Sequence, residues 1–248
     1  MKIAITADLH SGFSSKTYRI HEKFFDEINN DGIDVLVVAG DIISHKQEQW
    51  KTILRLLRES FPGIPILCVR GNHDWWITEQ DIRFKGIPHR MDDLDEYQKG
   101  LFKKYSIHYL EGNPYVEGDV AVYGWDGWYQ KIPMSNDLSR MVEGYRGAEL
   151  HNFMSSKAHK NFGKMLDGID SSKKTVVVTH HNLIRQFVDE YPDMQMHGNL
   201  SHIDFLKDEV NYVIFAHTHR PLDLMLGKCH VINPGGEYDK PKHYLLEI

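Results

Sequence analysis

The sequence predicts an α/β fold with two packed, mixed β-sheets flanked by helices, a four-layer αββα sandwich. Three observations support this fold: short apolar runs recur along the chain, helical patterns separate several of them, and glycine-rich turns join short strand-like segments near the C-terminus. Runs that are apolar throughout are typical of strands buried on both faces. Alternation of strands and helices favours parallel pairing of the strands.

The predicted central strands are β-branched-rich runs. In chain order they are Lys2–Ala7, Val35–Ala39, Ile64–Val69, Thr175–Thr179 and Tyr212–Ala216. Further strands are predicted at 222–226, 230–232 and 243–248, separated by Gly227 and by the turn Asn233-Pro234-Gly235-Gly236. Turn residues between short strands indicate antiparallel connections. The C-terminal part should therefore add antiparallel strands to the parallel ones.

Three segments have apolar residues at helical spacing. They are Tyr18–Ile28, which stops near Asp31-Gly32, Trp50–Leu57, which ends before Pro62, and a longer stripe over 150–166. Such spacing predicts amphipathic helices. We interpret residues 1–248 as a single domain with an irregular, aromatic-rich insert at about 75–172, made of helices and a strand pair.

The insert carries four tryptophans, Trp75, Trp76, Trp125 and Trp128. Their rings could stack on a nucleobase or an aryl group, or they could pack the insert onto the sheets, because aromatic side chains bury large areas wherever they lie. We favour packing for Trp75 and Trp76. For Trp125 and Trp128 the sequence leaves both roles open.

The amino-acid composition argues against a membrane protein and against a protein that binds long nucleic acid. Hydrophobic residues make up 41% and charged residues 26%, and no apolar run approaches the ~20 residues that span a bilayer. Without a signal-peptide pattern after Met1, we expect a cytoplasmic protein with no membrane partner.

Cys68 and Cys229 lie outside any pair motif and should be buried thiols. The net charge of −6, with scattered basic residues, argues against long nucleic acid as a partner. The oligomeric state stays open.

A polar cluster follows each of the five central strands, and ligands bind beyond the carboxyl ends of strands in such folds. We therefore expect seven side chains to converge as metal ligands: Asp8, His10, Asp41, Asn72, His180, His217 and His219. Carboxylate or amide oxygens combined with imidazoles suit manganese, iron, zinc or similar ions. Seven ligands exceed the needs of one tetrahedral ion and match two ions that share a carboxylate.

Each motif alone is weak, since Gly-Asp after a strand is often only a turn and His-x-His is often a surface pair. Together, the order Asp-x-His, Gly-Asp, Gly-Asn-His-Asp, His and His-x-His resembles the signature of calcineurin-like metallophosphoesterases. This resemblance implies that Asp8, His10 and His219 bind one ion. It implies that Asn72, His180 and His217 bind the other, that Asp41 bridges both, and that His73 protonates the leaving oxygen. The turn at Asn233 resembles that of bacterial members.

Two positions depart from the family pattern. Ala216 replaces the glycine that usually precedes the His-x-His pair, which is a small change. Ser44 stands where many members have an aspartate that orients the catalytic histidine. The group that orients His73 is therefore not evident from the sequence.

We expect hydrolysis of a small or medium phosphate ester, a diester rather than a monoester, by attack of a hydroxide that bridges two ions. Manganese is the expected metal, with iron, zinc or nickel as alternatives. A nuclease is one alternative, because repair exonucleases of the superfamily share Gly-Asn-His-Asp, but the net charge and the short chain after His219 argue against it. A non-catalytic scaffold is another alternative, and the complete ligand set argues against that.

Overall fold

The computed structural model describes residues 1–14, 16–44, 46–77, 87–88, 91–129, 148–184 and 198–248. The helices within these ranges are α1 (Thr17–Asn30), α2 (Gln49–Ser60), α3 (Met91–Lys104), α4 (Ala148–Asp167) and α5 (Ser201–Glu209). The strands are β1 (Lys2–Thr6), β2 (Val35–Ala39), β3 (Ile66–Val69), β4 (His108–Tyr109), β5 (Tyr115–Glu117), β6 (Val120–Gly124), β7 (Lys174–Val178), β8 (Tyr212–Ile214), β9 (Leu222–Leu226), β10 (Cys229–Asn233), β11 (Gly236–Glu237), β12 (Lys240–Pro241) and β13 (His243–Glu247).

The strands form two mixed sheets and a small hairpin, which confirms the predicted fold class. The first sheet has the order β13-β1-β2-β3-β4, and the second has the order β5-β6-β7-β8-β10-β9. In the first sheet, β1 to β4 are parallel and β13 is antiparallel to β1. In the second, β6, β7, β8 and β10 are parallel, while β5 and β9 add antiparallel edges. Strands β11 and β12 pair with each other and form a separate two-stranded hairpin.

Alternation of side chains along the strands builds the four layers. Ile3 and Ile5 of β1 belong to the apolar cluster between the two sheets, together with side chains of the second sheet such as Val176. Ala4, between them in sequence, faces the helices on the other side and shares a cluster with Phe25 of α1. Both faces of these strands are thus buried, which explains why the runs are apolar throughout.

The segment from Trp75 to Ser172 supplies strands to both sheets. Strand β4 pairs with β3 and extends the first sheet. The antiparallel pair β5–β6 joins the second sheet because β6 pairs in parallel with β7. Residues 78–86, 89–90 and 130–147 of this segment lie outside the described residues.

The tryptophans of the segment pack in the protein interior. Trp75 and Trp125 are each 1% exposed, Trp128 is 3% exposed and Trp76 is 5% exposed. All four belong to the apolar cluster on the outer face of the second sheet, where Phe162 of α4 also lies. The structure therefore favours packing for Trp125 and Trp128, whose role the sequence left open.

A buried arginine ties this segment to the end of β3. The Arg70 guanidinium donates to Asp126 at 2.9 Å and to Asp95 at 2.7 Å, and it lies over the Trp75 ring at 4.0 Å. Burial raises the pKa of Asp95, but Arg70 and Lys157 outweigh burial and lower it to about 2. Removing one partner of a buried ion pair is strongly destabilising. Arg70 therefore fixes the backbone next to Gly71 and Asn72.

Both cysteines, Cys68 and Cys229, are buried and free, as predicted. Among the helices of the described ranges, none combines the length and apolarity needed to cross a bilayer.

Candidate metal centre

The polar clusters meet at the carboxyl ends of the parallel strands, at one end of the two packed sheets. One group contains Asp8 and His10, which follow β1, and His219, which follows β8. The Nε2 atoms of His10 and His219 are 3.3 Å apart, and Asp8 Oδ1 lies 3.8 Å from His219 Nε2. One carboxylate and two imidazoles thus face a common point.

A second group contains Asp41, His180 and His217, which follow β2, β7 and β8. Asp41 Oδ2 lies 3.3 Å from His180 Nε2, and His180 Nε2 lies 3.2 Å from His217 Nδ1. All three residues are buried. Strands from both sheets therefore contribute to this group.

Asp41 connects the two groups. Its Oδ2 lies 3.8 Å from His10 Nε2 of the first group, in addition to its contact with His180 of the second. Its Oδ1 accepts a hydrogen bond from the backbone nitrogen of His73 at 2.9 Å. One carboxylate oxygen thus lies between both sets of imidazoles, as a ligand shared by two ions would.

Several oxygen and nitrogen atoms of the predicted ligands have no hydrogen-bond partner within the described ranges. They are both carboxylate oxygens of Asp8, Oδ1 of Asn72, Nδ1 of His10 and Nε2 of His217, and all are buried. Buried polar atoms are nearly always paired, and a bound metal ion would supply the missing interaction for this set of unpaired atoms. Carboxylate oxygen, amide oxygen and imidazole nitrogen are ligands for a divalent transition-metal ion. The residues present therefore fit a metal centre.

Backbone strain is concentrated at the same residues. Within the described part of the chain, six non-glycine residues have a positive φ, and five of them are predicted ligands: Asp8, His10, Asp41, His217 and His219. This conformation costs of order 1–3 kcal/mol for a residue with a side chain and persists where the surrounding structure enforces it. The strain aims these side chains at the centre, and residue types alone could not indicate it.

Gly71 allows the close approach of these groups. A Cβ atom at this position would lie 2.1 Å from Asp41 Oδ1 and 2.7 Å from His180 Nε2. Both distances are too short for any side chain. The glycine before Asn72 is therefore a steric requirement of the centre.

The pKa shifts of three predicted ligands, His10, His217 and Asp41, favour the charge state that binds a metal. Burial lowers the pKa of His10 and His217 well below the usual range, so both imidazoles are neutral, the form that binds a metal. Burial opposes ionisation of Asp41, but His180 and His73 hold its pKa well below the usual range. Burial would lower the pKa of His180, whereas Asp41 raises it to about 9. Metal binding at His180 should therefore release a proton.

The orientation of His73 comes from the backbone. The Nδ1 atom of His73 donates to the carbonyl oxygen of Ser44 at 2.5 Å, and the carbonyl, which can only accept, requires a proton on Nδ1. The other nitrogen, Nε2, lies 4.0 Å from Asp41 Oδ2. The backbone carbonyl of Ser44 thus orients the His73 imidazole, a role that the family pattern gives to an aspartate side chain. The Nε2 atom of His73 faces the centre. His73 also belongs to a third group of close potential metal ligands, together with His10 and Asp41.

Sequence reasoning missed an aromatic residue that contacts the centre. Tyr238 lies in the turn between β11 and β12, and its ring centroid is 4.2 Å from that of His10 and 5.2 Å from that of His219. No motif marks Tyr238, since its position depends on the pairing of two short strands.

Comparison with known proteins gives a family match. Residues 1–221 match the family described as calcineurin-like phosphoesterase. No curated protein matches the chain at a significant level.

Several solved structures have a similar fold. Phosphopantetheinyl hydrolase from Mycobacterium tuberculosis has a TM-score of 0.75 and 17% identity, over 96% of this chain and 90% of that one. A putative 5′-nucleotidase from Staphylococcus aureus has a TM-score of 0.57 and 12% identity, over 100% of this chain and 51% of that one. A dimetal phosphatase from Danio rerio has a TM-score of 0.55 and 11% identity, over 99% of this chain and 91% of that one. At these identities the likeness concerns the fold.

Proposed function

Since the chain belongs to the calcineurin-like phosphoesterase family, and so to metal-dependent phosphoric ester hydrolases, we propose that it hydrolyses a phosphodiester of small or medium size at a dinuclear centre. The proposed ligands of one ion are Asp8, His10 and His219, those of the other are Asn72, His180 and His217, and Asp41 is shared. The position of Asp41 Oδ2 between His10 and His180 is the observation that carries this proposal.

The donor set favours manganese, with iron, zinc or nickel as alternatives, because four imidazoles accompany three oxygen ligands. When bound, two such ions would supply an activated water and neutralise negative charge on the phosphate. Among the proposed ligands, Asp41 is ionised and His10 and His217 are neutral, whereas His180 must lose a proton before it binds a metal. The chain after β3 brings the backbone nitrogen of His73 to within 2.9 Å of Asp41 Oδ1, and we propose that Asn72, the residue before it, is a ligand of the same centre.

His73 has the geometry of a proton donor. With Nδ1 bound to the Ser44 carbonyl, Nε2 is the nitrogen that can carry a proton to the leaving oxygen. The Trp76 ring lies 3.7 Å from the His73 ring and limits its rotation. Support for a diester comes from the Tyr238 ring beside His10, because an aromatic side chain next to the centre offers a contact to a second organic group on the phosphate.

The substrate class is tested with the protein loaded with manganese. We expect a higher kcat/KM for bis(4-nitrophenyl) phosphate than for 4-nitrophenyl phosphate, two substrates that release the same leaving group. A preference for the monoester would contradict the diester proposal. Faster cleavage of single-stranded DNA than of either small ester would favour the nuclease alternative.

The role of His73 is tested with His73→Ala. A 4-nitrophenolate leaves without protonation, whereas an alkoxide needs a proton, so the variant should lose about 10²–10⁴-fold on alkyl or nucleotide esters and much less on nitrophenyl esters. His108→Ala, which removes an imidazole hydrogen-bonded to the Asn113 carbonyl, is the control. Equal losses on all esters with both ions retained would make His73 a phosphate-binding residue. Loss of an ion would make it a ligand.

A further inference from the structure

Phe13 is exposed next to the candidate metal centre. Within the described part of the chain, the exposed large hydrophobic residues are Phe13, Val116, Phe153, Phe205 and Met225. A single exposed apolar side chain is ordinary on a protein surface. Phe13, which is 49% exposed, differs from the others because its ring contacts Tyr238, the residue that packs on the predicted ligands.

The rings form a continuous path from solvent to the centre. The centroids of Phe13 and Tyr238 are 4.5 Å apart with an angle of 32° between the rings. Those of Tyr238 and His10 are 4.2 Å apart with an angle of 30°. Tyr238 therefore lies between His10 and Phe13, and the exposed ring of Phe13 is the end of this stack that a substrate group at the centre can contact.

The backbone holds Phe13 in place before any ligand binds. The nitrogen of Phe13 donates to the carbonyl of His10 at 3.1 Å, which closes a tight turn with Gly12 at φ +87°. A type II turn requires a positive φ at this position, and glycine adopts it without strain. The next residue is fixed as well, since the Ser14 nitrogen donates to Thr17 Oγ1 at 2.9 Å. Because the backbone of this turn is already ordered, binding of a ligand to the Phe13 ring would cost no backbone entropy at this position.

We propose that the exposed ring of Phe13, supported from behind by Tyr238, is a stacking surface for a planar aromatic group of the substrate, either a nucleobase or an aryl group. This inference rests on the proposed function, because the phosphate of the same substrate lies at the metal centre. A flat π system gains offset stacking on this ring, and an aliphatic group does not. The insert tryptophans cannot provide such a surface because they are buried.

The test is calorimetric titration of the manganese-loaded protein with thymidine 5′-monophosphate, phenyl phosphate and methyl phosphate. The wild-type protein should bind both aromatic ligands more tightly than methyl phosphate. Phe13→Leu keeps an apolar side chain but removes the ring, and it should weaken binding of the aromatic ligands about tenfold while affinity for methyl phosphate stays constant. Phe205→Leu, the same change at a 60% exposed position of α5, should have no effect.

The ligands also separate the two sources of the planar group. A loss confined to the thymidine nucleotide identifies a nucleobase, and equal losses for both aromatic ligands identify a general aryl surface. The proposal is overturned if the wild-type protein shows no preference for either aromatic ligand, or if Phe13→Leu leaves all three affinities unchanged or weakens all three equally. Turnover is measured separately: aromatic preference without hydrolysis of any ester would refute the proposed function and leave the stacking surface standing.

Discussion

The Asp41→Asn variant should lose at least about 100-fold in kcat/KM, because changes to groups that merely orient a metal ligand already cost up to about 100-fold. This loss should be larger than that of any other single change among the predicted ligands. Asp41 Oδ2 lies 3.8 Å from His10 Nε2 and 3.3 Å from His180 Nε2, so it is the carboxylate that both groups share. Asparagine has the same shape but no negative charge. The change therefore weakens both ion sites at once without creating a cavity.

Metal content and turnover are measured together on the purified variant. Asp204→Asn is the matched control, since the Asp204 side chain is 71% exposed on α5, where it pairs with Lys207. The control should keep both ions and full activity. If Asp41→Asn also retained two ions and near-normal turnover, the shared role of Asp41 would be wrong.

Removal of metal by a chelator should abolish activity, and manganese should restore it while magnesium does so poorly. Magnesium prefers an all-oxygen shell with several waters, whereas four of the seven predicted ligands are imidazoles. The same treatment should lower the Tm, because ions that bind only the native state stabilise it. Buried Asp8, whose oxygens have no partner in the described ranges, would then lose its compensating charge.

Activity and Tm are recorded before chelation, after it, and after each metal is added back. Protein dialysed without chelator is the control for losses caused by handling. The Asp41→Asn variant should show a smaller decrease in Tm on chelation, because it begins with less bound metal. Full activity in magnesium alone after exhaustive chelation would contradict a transition-metal centre.

The sequence by itself determined the fold class and which polar side chains would meet. Strand β2 lies at the predicted Val35–Ala39, and β9 at the predicted 222–226. Both faces of the parallel strands are buried, so their sequences are apolar from end to end and can be recognised locally. Because parallel strands end at the same edge, clusters such as Asp8-Leu9-His10 and His217-Thr218-His219 had to converge, and the structure brings them together.

Only the tertiary structure decided how that site is supported and flanked. The orienting group of His73 is a backbone carbonyl, which every residue has and which no residue type reveals. The roles of Trp125 and Trp128 depended on burial behind the second sheet. Phe13 and Tyr238 come together only when the turn after β1 and the β11–β12 hairpin are both in place. Sequence periodicity indicates on which face of a helix or strand a side chain lies. Contacts between distant turns depend instead on how the whole chain packs.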